Sequence, residues 1–104
     1  MAPADPANDP TPGFRDQMAS RLSQWREQYA ILVLDAIKAN RRRRTDLARA
    51  LDQLCEYRNR VESLLADLST ATDQRQWEST RFRAEVAWAD LKSSTARLLQ
   101  RVHA

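Results

Sequence analysis

Apolar residues recur along this chain at alternating steps of four and three. Met18, Leu22, Trp25, Tyr29, Leu32, Ala36 and Ala39 form a first run. That is the spacing of heptad a and d positions, which lie on one stripe of an α-helix. Leu47, Leu51, Leu54, Arg58, Val61, Leu65 and Leu68 form a second run, and Trp77, Arg81, Ala84, Trp88, Leu91, Thr95, Leu98 and Val102 a third. Three amphipathic helical stretches follow from the pattern alone.

The punctuation between the runs decides how many helices they make. Ser69-Thr-Ala-Thr-Asp73 favours caps over helix interior, because Ser, Thr and Asp side chains compete for backbone groups. Asp73 and Gln76 stand at the capping-box spacing, with Asp as the cap. The earlier junction is weaker. Ala36 and Leu47 are eleven residues apart, about three whole helical turns, so a straight helix would keep both on one face, as at a coiled-coil stutter. Arginine is a good helix former, and mutual repulsion across Arg41, Arg42, Arg43 and Arg44 costs only tenths of a kcal/mol per pair in water.

The reading that follows is all-α: an antiparallel coiled-coil hairpin with a long helix over 14–68, roughly 80 Å, and a second helix over 73–103. The alternative is a compact three-helix bundle over 14–40, 45–69 and 73–103, with 40–44 as a turn and Thr45 as a cap. The unbroken eleven-residue step and the lack of Gly tip the balance to the hairpin.

Some apolar positions sit off these stripes. At roughly 100° per residue, Ile31 and Leu34 face away from the first seam, and Phe82 and Val86 face away from the third. Apolar residues on two faces of a helix imply a second buried surface. In a two-helix hairpin only another chain can supply it, so a homo-oligomer or a helical protein partner is expected.

Composition sharpens the outline. All four prolines (Pro3, Pro6, Pro10, Pro12) and the one glycine, Gly13, precede Phe14. Sheet proteins need turn residues at regular intervals, so their absence afterwards argues against strands. Residues 1–13 are small, acidic and proline-punctuated, which predicts a disordered tail ahead of a helical domain over 14–104. The chain of 104 residues is one domain at most. Tyr29-Ala-Ile-Leu-Val-Leu34, the longest apolar run, is too short to span a bilayer. With no basic and apolar leader at the start, a soluble cytoplasmic protein is expected.

Chemistry is sparse. His103 is the single histidine, so a His-rich metal site or a His-based triad cannot be built within one chain. Cys55 is the single cysteine, which excludes an intramolecular disulfide and suits a reducing compartment. Glu56, Glu62 and Asp67 alternate with Arg58 and Arg60, as on the solvated flanks of coiled coils. No Gly-rich loop exists to cradle phosphate. The reading is a non-enzymatic protein with no cofactor and no metal.

The one sharp electrostatic feature is the run Arg41, Arg42, Arg43, Arg44 in a chain of formal net charge +3. It is a candidate grip for nucleic-acid phosphates or anionic lipid headgroups. Four phosphate contacts would give a log–log salt slope near −3.6, enough for weak, non-specific binding. No aromatics interleave with the arginines, so base stacking is unsupported.

The segment Trp77 to Lys92 carries two tryptophans eleven residues apart, the second in an Ala-Trp-x-Asp-Leu-Lys context. It resembles the C-terminal end of a family of small bacterial coiled-coil proteins sometimes labelled a stress-response family. Leu22-Ser-Gln-Trp25 matches the family's Leu-x-x-Trp step in the first helix. The family is rich in Lys and Glu, whereas this chain has fifteen Arg and two Lys, and the arginine run is not part of the pattern. The resemblance implies a helical hairpin without a catalytic site and names no partner. Independently of it, eleven residues bring Trp77 and Trp88 within about 20° of the same helical face, as two anchors in one seam.

Overall fold

A computed structural model of the protein describes residues 10–103; residues 1–9, most of the expected tail over 1–13, and Ala104 lie outside the described residues. It contains three long helices, α1 (Pro10–Lys38), α2 (Arg41–Ser69) and α3 (Gln74–His103), and no strand among the described residues. The expected all-α class is present, in the three-helix form rather than the hairpin.

The long helix over 14–68 is broken at Ala39 and Asn40. Asn40 leaves helical geometry (φ −66°, ψ 166°), and its side-chain oxygen accepts from the Arg43 N–H at 2.9 Å. An Asn at this position satisfies one of the orphan donors of a new helix. Arg41, Arg42, Arg43 and Arg44 are therefore the first turn of α2, neither mid-helix nor turn. Thr45, the expected cap, lies inside α2 and donates its hydroxyl to the Arg41 carbonyl at 3.2 Å.

The arginines also explain why the break is stable. The Arg44 guanidinium donates to the carbonyls of Ile37 (3.2 Å) and Ala39 (3.1 Å) at the end of α1. That of Arg43 donates to Arg101 (2.9 Å) and Val102 (3.3 Å) at the end of α3. Cations at a helix N-terminus oppose its macrodipole, but here they sit against two C-termini, whose unpaired carbonyls they cap.

The second junction follows the local signals closely. The Thr70 N–H donates to the Asp67 carbonyl, and Asp73 accepts from the Gln76 N–H at 2.7 Å. The Gln76 side chain reaches back one residue further than a standard capping box, to the N–H and hydroxyl of Thr72 (3.1 and 3.0 Å). At the other end, α1 starts four residues before the expected 14. Pro10 and Pro12 stand in its first turn, where a missing N–H costs nothing and the fixed φ suits a helix.

The helices run up, down and up. Arg26 meets Glu62 and Tyr29 meets Cys55 between antiparallel α1 and α2. Phe14 meets Trp77 and Trp25 meets Thr95 between parallel α1 and α3. Helices of this length make an elongated bundle, 58 × 22 × 18 Å, with a radius of gyration of 16.8 Å against about 13 Å for a compact globule of this size.

One continuous apolar cluster fills it. Met18, Leu22, Trp25, Leu32, Leu47, Leu51, Leu54, Val61, Leu68, Trp77, Ala84, Leu91 and Leu98 are buried, while Tyr29, Leu65, Trp88 and Val102 are half-buried at its edge. Phe14, Leu64 and Ala87 are also buried. Leu64 is the deeper of the adjacent leucines because α2 packs on two helices at once and so presents a wider stripe than a strict a/d seam. Arg81, at a seam position, lies over the rings of Phe14 (4.9 Å) and Trp77 (5.6 Å) and pairs with Glu85. The aromatic faces and its half-exposure accommodate the charge there.

Candidate interaction face

The outer face of α1 changes character along its length. Its N-terminal half presents exposed Asp16, Ser20 and Ser23, followed by Glu27. Its last two turns present Ile31, Leu34 and Ile37 at 51, 55 and 62 % exposure. Steps of three residues rotate by about −60° each, so the three aliphatics form one strip, with Leu34 almost diametrically opposite the buried seam. A helix that is apolar on both faces has a second surface to cover.

Phe82 and Val86 are likewise exposed, at 66 and 45 %. They do not join that strip. With Arg60, Ser63, Leu64 and Asp67 of α2 they line a groove of about 440 Å³ on the α2–α3 side, to which α1 contributes no residue. The four residues grouped by the sequence pattern as a candidate oligomer face thus form two separate patches. Ile37 belongs to the first and was missed; its step of three from Leu34 was the available signal.

The four arginines stand at one end of the bundle, where Lys38 and Arg101 add to them and Asp35 and Asp46 only partly offset them. Arg43 and Arg44 are engaged with backbone carbonyls. Arg41 and Arg42 are exposed and make no hydrogen bond or ion pair with another described residue.

Elsewhere the polar interior is small. The Trp25 indole N–H donates to the Thr95 hydroxyl at 2.8 Å, and that hydroxyl donates to the Leu91 carbonyl at 2.7 Å. Half-buried Cys55 shares a hydrogen bond with the Tyr29 hydroxyl across 3.1 Å. That bond, assisted by burial, pushes the Tyr29 phenol up to about 12. A groove of about 590 Å³ between α1 and α3 is lined by Trp25, Trp88 and Leu99 with Arg21 and Lys92 at its rim.

Among the described residues, no three His, Cys, Asp or Glu side chains come together so as to hold a metal ion. The His103 side chain lies outside them. No helix is long and apolar enough to cross a membrane among the described residues. No family model, curated protein or solved structure matches this chain.

Proposed function

We propose that this chain is a non-catalytic helical interaction protein that associates through the outer face of α1. The observation that carries this reading is the strip of Ile31, Leu34 and Ile37, more than half exposed on a helix whose opposite face is already buried. Completing the burial of each side chain is worth about 1 kcal/mol, half the full transfer value. Six such side chains across two copies contribute about 6 kcal/mol, which does not far exceed the lower bound of about 4 kcal/mol for the cost of association. After that cost the strip alone nets about 2 kcal/mol, a dissociation constant of tens of millimolar, so the complex is weak and a stable pair also draws on the contacts around the strip.

Light scattering coupled to size-exclusion chromatography tests it up to the highest concentration at which the chain stays in solution. The wild type should show a mass rising above that of one chain, and Ile31→Gln/Leu34→Gln/Ile37→Gln should remain monomeric with unchanged helicity. A wild type that stays monomeric throughout and captures no helical partner removes the proposal.

A second reading, weak binding of nucleic acid or an anionic surface, is favoured by the concentration of positive charge at the tip. With Arg43 and Arg44 used as helix caps, Arg41 and Arg42 remain, and two phosphate contacts give a salt slope no steeper than about −2. Arg41→Gln/Arg42→Gln should abolish any retention on duplex DNA, and unchanged retention discards this reading.

A further inference from the structure

We propose that the occupant of the α1 strip is a second copy of this chain, docked antiparallel with its two-fold axis at Leu34. This inference rests on association through α1 and names the partner and its orientation.

The strip is self-complementary about that residue. In an antiparallel pair centred on Leu34, the residue k positions before it meets the one k positions after it. Leu34 meets its own counterpart, and Ile31 meets the second copy's Ile37. Ala30, small and exposed, meets the second copy's Lys38, whose aliphatic stem can lie across it. Glu27 lies about 10 Å along the helix from Leu34. It reaches the second copy's tip, where Lys38 closes α1 and Arg41 opens α2 three residues on.

Charge separates this arrangement from the parallel one. Glu27, Lys38 and Arg41 are exposed, and none makes a hydrogen bond or ion pair with another described residue. Antiparallel docking gives each acidic group a basic counterpart twice over. Parallel docking sets Lys38 beside Lys38 and the two arginine tips side by side, a like-charge juxtaposition that selects against it. In the antiparallel pair the tips stand about 20 Å apart, beyond the screening length of about 8 Å at physiological salt. The Phe82 and Val86 groove offers no comparable self-match, because Arg60, Arg83, Asp67 and Asp90 mix both signs around it.

The test is a charge exchange read by light scattering and analytical ultracentrifugation at the highest concentration at which the chain stays in solution. Glu27→Arg alone, and Lys38→Glu/Arg41→Glu alone, should each weaken the dimer at least about tenfold. Their equimolar mixture should restore it, since both ends of the mixed pair are then complementary. Disulfide trapping in a Cys55→Ala background fixes the orientation. Ile31→Cys mixed with Ile37→Cys should cross-link to each other faster than either does to itself, whereas parallel docking reverses that order. A wild type that is monomeric at every concentration removes this inference, and the α1 reading beneath it falls as well when the same chain captures no helical partner. A dimer lost in the Ile31/Leu34/Ile37 glutamine variant but indifferent to the charge exchange overturns the antiparallel pairing alone. A dimer that survives the glutamine variant refutes docking on α1 altogether.

Discussion

The bond between Trp25 and Thr95 joins α1 to α3 across 70 residues of sequence, between two side chains that are each 2 % exposed. Because the Thr95 proton is committed to the Leu91 carbonyl, its oxygen is the acceptor that satisfies the indole. Trp25→Phe loses that bond, worth about 1 kcal/mol, and leaves a cavity worth about another 1 kcal/mol. Thr95→Val keeps the shape but strands the indole N–H, at a cost of about 2 kcal/mol. In the double variant nothing polar is stranded and only the cavity of about 1 kcal/mol remains, so the total should fall about 3 kcal/mol short of the sum of the singles. Urea titrations followed by circular dichroism, at concentrations low enough to keep the chain monomeric, measure all four corners of the cycle. The Trp77 indole N–H is buried without a hydrogen-bond partner among the described residues, so Trp77→Phe relieves a penalty where Trp25→Phe creates one. It should cost less than about 1 kcal/mol. Additive Trp25 and Thr95 effects, within about 0.5 kcal/mol, would refute the coupling; Trp77→Phe as costly as Trp25→Phe would refute the contrast.

Asn40→Ala should destabilise the protein by about 1 kcal/mol through loss of the cap on Arg43, seen as a lower urea midpoint at unchanged slope; no shift would mean that the arginine caps hold the break unaided. A Cβ at Gly13 would meet nothing within 4 Å, so Gly13→Ala should raise stability by about 0.5–1 kcal/mol. A fall in thermal midpoint would contradict that. Tyr29, pushed from 10 to about 12 by its bond to Cys55, retains its proton in the folded state after the unfolded chain has lost it. Its contribution is thus fully present below pH 10 and is lost as pH rises through about 12. Absorbance at 295 nm should show the late phenol step, and Cys55→Ala should move it earlier.

Much of this molecule is legible from residue spacing. The three heptad runs mark the three helices, and Asp73 with Gln76 marks the start of the last one, because caps act within a few residues of themselves. The aliphatic strip on α1 was visible in part, since Ile31 and Leu34 sit off the seam on any helical wheel.

The break at Asn40 was decided otherwise. Local propensity permits a helix straight through the four arginines, and the local features that oppose it, the Asn40 cap and the reach of Arg44 back to Ile37 and Ala39, are few. Its stability comes from the Arg43 side chain meeting the end of α3, some 58 residues away, and from three seams closing on one core. Only in three dimensions do the C-termini of α1 and α3 gather beside the arginines and give their charge a partner. The same folding carries Phe82 and Val86 to a different side from Ile31 and Leu34. Periodicity assigns each residue a direction on its own helix, which is a local property. Which directions point together depends on how the helices are arranged, and that is settled by long-range packing.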